Sequence, residues 1–129
     1  MASSATLRVM TLPDYNRDAA MEAFEREDYQ SVFQLAIPYA SAGNSDAQVM
    51  VACLYQTGLG VERDVLEAER WLIKAATQNN ALAWHNLGSL YAGRIPELKD
   101  RWGDVRKCYE KAKELGFNVA HPYPPAFLE

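Results

Sequence analysis

The chain has 129 residues, about the size of one domain, and its 49% hydrophobic and 23% charged content is that of an ordinary globular protein. Seventeen acidic residues against 13 basic ones leave a net charge of -4, and the basic residues are scattered along the chain. Binding to nucleic acid or to an anionic membrane draws on gathered positive charge, so neither partner is expected.

The opening residues, Met1 to Met10, carry one positive charge and no apolar run long enough for a secretion signal, and residues 1–13 read as a flexible N-terminus. No stretch approaches the roughly 20 apolar residues of a membrane helix. Apolar residues then recur three and four apart, as in Ala47, Val51, Leu54 and Tyr55 and again in Val65, Ala68, Trp71, Leu72 and Ala75. That spacing is helical, and nothing alternates as a strand would. Six helices are predicted, over about 14–27, 29–42, 45–57, 64–78, 81–92 and 101–115. Gly43, Gly58, Gly60 and Gly116 mark their ends. Asp64 followed by Glu67 has the spacing of a capping box, with Asp64 placed to accept from free amides at the start of the fourth helix.

The chain also repeats itself. Ala47, Leu54, Tyr55 and Asp64 recur 36 residues on as Ala83, Leu90, Tyr91 and Asp100, and Lys74-Ala75 recurs 37 residues on as Lys111-Ala112. A weaker earlier copy matches Ala40–Ala47 to Ala76–Ala83. A period in this range signals a helical solenoid, and about three units is roughly the least that buries a continuous core. The predicted fold is therefore all-α, an α/α superhelical solenoid of about three helix-turn-helix repeats over residues 14–120, followed by a tail or cap over 121–129. Pro122, Pro124 and Pro125 prevent a fourth unit from continuing as helix. Small residues, Ala52, Gly88, Ala75, Ala76 and Ala112, stand where helices should touch.

Trp84, Leu87, Gly88 and Tyr91 fit the signature of tetratricopeptide repeats, at a longer period. The Gly58-Leu59-Gly60-Val61 loop, Asp64, Ala68, Trp71 and Lys74-Ala75-Ala76 make the chain resemble the Sel-1-like repeat family across about residues 18–120. The third unit departs from that pattern, with Gly93–Leu98 in place of the glycine loop. The resemblance implies an adaptor or scaffold that binds another protein or peptide, with no cofactor, typically in bacterial signalling, secretion, envelope or host-interaction systems, and toxin immunity proteins are among its forms.

No catalytic residue, cofactor site or metal site is predicted. Cys53 and Cys108 have no nearby Cys or His that would complete a zinc set, and two cysteines do not make a disulfide framework, so a reducing, cytoplasmic setting is expected. Gly58-Leu59-Gly60 lacks the glycine and lysine of a phosphate loop. The acidic pairs Glu67/Glu69 and Glu25/Glu27 read as solvated helix faces. Phe33, Tyr55, Trp71, Trp84, Tyr91 and Tyr109 read as core, and His121 as a solvated tail residue.

What remains is the inner curve of the solenoid. If first helices line it, positions two, five, nine and twelve of each unit point inward, which selects Asp46, Val49, Cys53 and Gln56, then Leu82, His85, Ser89 and Ala92. That mixture of apolar and polar side chains suits a groove that receives a helix or an extended peptide. A monomer or weak homo-oligomer is expected. The competing reading is a self-associating module that pairs through its solenoid ends.

Overall fold

The computed structural model describes residues 13–117. They form α1 (Arg17–Glu25), α2 (Tyr29–Ser41), α3 (Ser45–Thr57), α4 (Val65–Ala76), α5 (Ala81–Ala92) and α6 (Val105–Glu114), with a 3-10 segment, Pro96–Asp104, ahead of α6. Among the described residues the fold is an all-α solenoid of three helix hairpins, α1/α2, α3/α4 and α5/α6. Apart from Pro13, the expected flexible N-terminus lies outside the described residues, as does the whole tail from His121.

Three turns are short because one residue serves two helices. Glu27, Gly43 and Asn79 adopt left-handed φ values of 61°, 106° and 62°. The next amide then reaches back five residues, from Asp28 to the Ala23 carbonyl, Asn44 to Tyr39 and Asn80 to Ala75. The side chains of Asp28, Asn44 and Asn80 meanwhile accept from the amides of Ser31, Ala47 and Ala83, capping the helix that follows. Asn16 caps α1 in the same way, which is why that helix starts at Arg17 and not at residue 14. Asp64 accepts from the Glu67 amide at 3.0 Å, as its spacing predicted.

The helices bury residues three and four apart: Val32, Ala36 and Ala40 on α2, Ala47, Val51 and Leu54 on α3, Ala68, Leu72 and Ala75 on α4, Ala83, Leu87 and Leu90 on α5. Tyr91 and Tyr109 are buried, while Phe33, Tyr55, Trp71 and Trp84 pack at the edge of the core. Alanine and glycine set how closely the helices approach. A Cβ on Gly88 would stand 2.9 Å from the Tyr109 ring. Ala75 is wholly buried, and Ala75→Leu should overpack its site and cost about 1–3 kcal/mol, read as a lowered melting temperature in circular dichroism.

The α3–α4 loop ties two hairpins together. Leu59 and Val61 pack against a cluster of Ala23, Val32 and Leu54. Gly60, at φ 75°, lies so close to the start of α2 that a Cβ would stand 2.5 Å from the Tyr29 carbonyl oxygen.

Two expectations are corrected where the second and third hairpins meet. The last helix begins at Val105 and not near residue 101, because Pro96 starts a 3-10 run with a non-helical break at Leu98. That run is anchored by the buried Leu98 side chain and by the Trp102 indole, whose Nε1 donates to the Ile95 carbonyl at 3.1 Å. Glu69, read as a solvated acid, is 5% exposed. Its carboxylate accepts from Arg101 Nε at 3.0 Å and Nη2 at 3.2 Å, and from the Tyr91 hydroxyl at 2.8 Å. The forked pair clamps the 3-10 segment to α4.

Candidate interaction groove

The first helices of the three hairpins bring three faces together. On α1 the face is Arg17, Met21 and Phe24, on α3 it is Asp46, Val49, Met50 and Cys53, and on α5 it is Leu82 and Asn86. Each set has the three-to-four spacing of a single helix face. With Tyr15 they enclose a groove of about 260 Å³. Its walls are mostly apolar, and Met21, 39% exposed, is one of the few large apolar side chains open to solvent among the described residues.

Charge gathers at the N-terminal ends of α1 and α3. The Tyr15 phenol is pushed above its ordinary value mainly by burial, further by the Asp46 carboxylate and less by the opposing pull of Arg17, so these three groups share one field. The Tyr15 ring packs on Tyr39 with centroids 5.4 Å apart. Asp46 accepts from Asn80 Nδ2 at 3.1 Å, which links the starts of α3 and α5.

Of the eight residues predicted for the groove, Asp46, Val49, Cys53 and Leu82 line this depression. The other four do not. His85 stacks on Tyr109 and Phe117, with ring centroids 5.1 and 4.5 Å away. Ser89 shares a 3.1 Å hydrogen bond with the Tyr109 hydroxyl. Ala92 is buried, and Gln56 is half-buried beside the α3–α4 loop, its carbonyl accepting from Arg63 Nε at 3.2 Å. Along α5 the open face runs through Leu82 and Asn86, one residue out of phase with Leu82 and His85. Phe117, directly after the left-handed Gly116, covers the face on which His85 lies.

Position counting also missed Tyr15, Arg17, Met21 and Phe24. Unit one lacks the repeat signature, and only the helical spacing of Met21 and Phe24 marked that wall. Met50 and Asn86 were missed by the same one-residue phase error.

Both cysteines are free thiols. Burial raises the Cys53 thiol, and it pushes the buried Cys108 up to about 12 with some help from Asp104. A thiolate-seeking reagent at mildly alkaline pH should therefore label Cys53 slowly and leave Cys108 untouched until the chain unfolds, as peptide mass mapping would show. Labelling of Cys108 in the native protein would contradict the packing of α6. Among the described residues no cluster of three or more His, Cys, Asp or Glu could hold a metal ion, and no helix is long and apolar enough to cross a membrane.

The model of the Sel1 repeat matches residues 45–80 and 106–117. The crystal structure of a Sel1 repeat protein from Oxalobacter formigenes superposes on 85% of this chain with a TM-score of 0.64 and 27% identity. In its two matched stretches the chain is similar to the Sel1 repeat, and its helical solenoid is similar to that of a Sel1 repeat protein. The first match spans α3, α4 and the turn to α5, and the second spans most of α6 and the residues that follow it. This chain spans 49% of the Oxalobacter protein, about half its length. No curated protein matches it. Sel1 repeats generally serve as protein-interaction modules.

Proposed function

We propose that the protein is a non-catalytic adaptor or scaffold that holds a partner protein or peptide in the groove between α1, α3 and α5. The observation that carries this reading is the groove itself, a largely apolar depression with Met21 open on its wall and polar Asp46 and Asn86 at its edges. An apolar floor with a few polar groups around it is the common anatomy of a peptide-receiving surface. At about 260 Å³ the groove falls below the roughly 300–1,000 Å³ of sites that enclose whole small ligands, which favours side chains of a larger partner. Of the eight residues predicted from the sequence, Asp46, Val49, Cys53 and Leu82 are retained in this proposal. The cytoplasm is the proposed setting, on the strength of the free thiols. Bacterial signalling, secretion and toxin immunity are the roles the family suggests.

The test is affinity capture with the full chain and a Met21→Glu/Leu82→Glu variant matched for helicity by circular dichroism. A protein retained by the wild type and lost with the variant supports the groove. Equal retention by both chains would move the binding surface elsewhere and overturn the reading.

A further inference from the structure

The chemistry of the groove's occupant can be narrowed, on the premise that the groove is the binding site. The groove continues past Tyr15 and Arg17 into a shallower depression at the start of α1, lined by Asp14, Asn16 and Asp18 together with those two residues. Asp46 borders the deep part at the same end. Asp14, Asp18 and Asp46 are all exposed, and Arg17 is the one basic side chain among the described residues of either lining. Three carboxylates therefore share these two linings with one guanidinium, beside an apolar trough. The net charge of -4 gives the whole molecule the same sign.

We infer that the groove takes a protein segment with bulky apolar anchor side chains directly flanked by lysine or arginine. The anchors enter between Met21, Phe24 and Val49, and the cations lie over Asp14, Asp18 and Asp46. Two methionines, Met21 and Met50, line the trough, and their flexible thioether chains adapt to anchors of different shape. Discrimination among partners then falls to the acidic rim, because like charges brought together there are disfavoured and opposite charges steer the encounter.

Two synthetic peptides test this, each with the same leucine and phenylalanine anchors three and four residues apart, one flanked by lysines and one by glutamates. Fluorescence anisotropy with the full chain should show the lysine peptide binding about tenfold or more tighter at low salt, and the preference shrinking at high salt. Asp14→Asn/Asp18→Asn/Asp46→Asn should abolish the preference while circular dichroism stays unchanged, and Met21→Glu should weaken both peptides. If both bind equally and both are lost with Met21→Glu, the groove stands and the basic partner is overturned. If neither binds, or Met21→Glu changes nothing, the groove reading fails with it. A concentration-dependent mass in light scattering that Met21→Glu removes would make a second copy the occupant and overturn the inference.

Discussion

Gly60→Ala is expected to destabilise the protein by about 2–5 kcal/mol. Two costs add at this position. The φ of 75° is a left-handed conformation that costs an L-residue roughly 1–2 kcal/mol. The new Cβ would also stand 2.5 Å from the Tyr29 carbonyl oxygen and 2.7 Å from its carbon, and backbone atoms cannot rotate aside as a side chain can. Relieving the clash means lifting the loop off the start of α2 and loosening Leu59 and Val61 from the cluster they complete, a further penalty of about 1–3 kcal/mol. Thermal unfolding should show a drop of roughly 10 °C or more. Gly43→Ala separates the two terms. Its φ is 106°, yet a Cβ there meets nothing within 4 Å, so only the conformational cost of roughly 1–2 kcal/mol should appear. Equal losses at both positions would mean that the close approach to Tyr29 is not felt.

Arg101→Ala should cost about 2–3 kcal/mol. The substitution leaves the Glu69 carboxylate, with a side chain only 6% exposed, dependent on the Tyr91 hydroxyl. Breaking a fully buried pair costs about 3–5 kcal/mol, and the lower figure follows because the Arg101 side chain is 39% exposed and water screens its share. Urea unfolding would read the loss as a lower midpoint at an unchanged slope. Glu69→Gln combined with Arg101→Met should cost less than the two single losses added, since neither residue then strands a charge. The same cluster predicts a response to alkali. Burial first, and then the bond to Glu69, raise the Tyr91 phenol above its usual value. The folded chain thus keeps a proton that the unfolded chain gives up. This contribution is intact below about pH 10 and falls away as the pH climbs beyond it.

The repeat was legible because it is written in local terms. Ala47 and Ala83, Tyr55 and Tyr91, and the Asp64 cap each announce themselves through spacing along the chain, and spacing places helices. Long-range partners leave no such mark. Glu69 looked like any acid on a helix until the fold brought Arg101 to it across 32 positions. The 3-10 segment obeys neither the helical nor the strand period, so its residues were assigned to a connection and to the start of α6. The groove was half legible for a related reason. Counting positions identifies a face to within about one residue, or about 100° of helix, and that error exchanges His85 for Asn86. The wall formed by α1 escaped because its unit carries no signature, and the stacking of Phe117 on His85 depends on how the chain turns after Gly116.

The helix that forms this wall is the shortest of the six among the described residues, nine residues with Ala20 and Ala23 as its buried positions. Opening of α1 should therefore need less free energy than opening of α3 or α5, and its amides should exchange with solvent sooner. A ligand that requires α1 closed binds only the closed fraction, and in doing so suppresses the opening. Occupancy of the groove would then be visible as slowed hydrogen exchange across Arg17–Glu25, with the exchange of α4 and α6 left as it was.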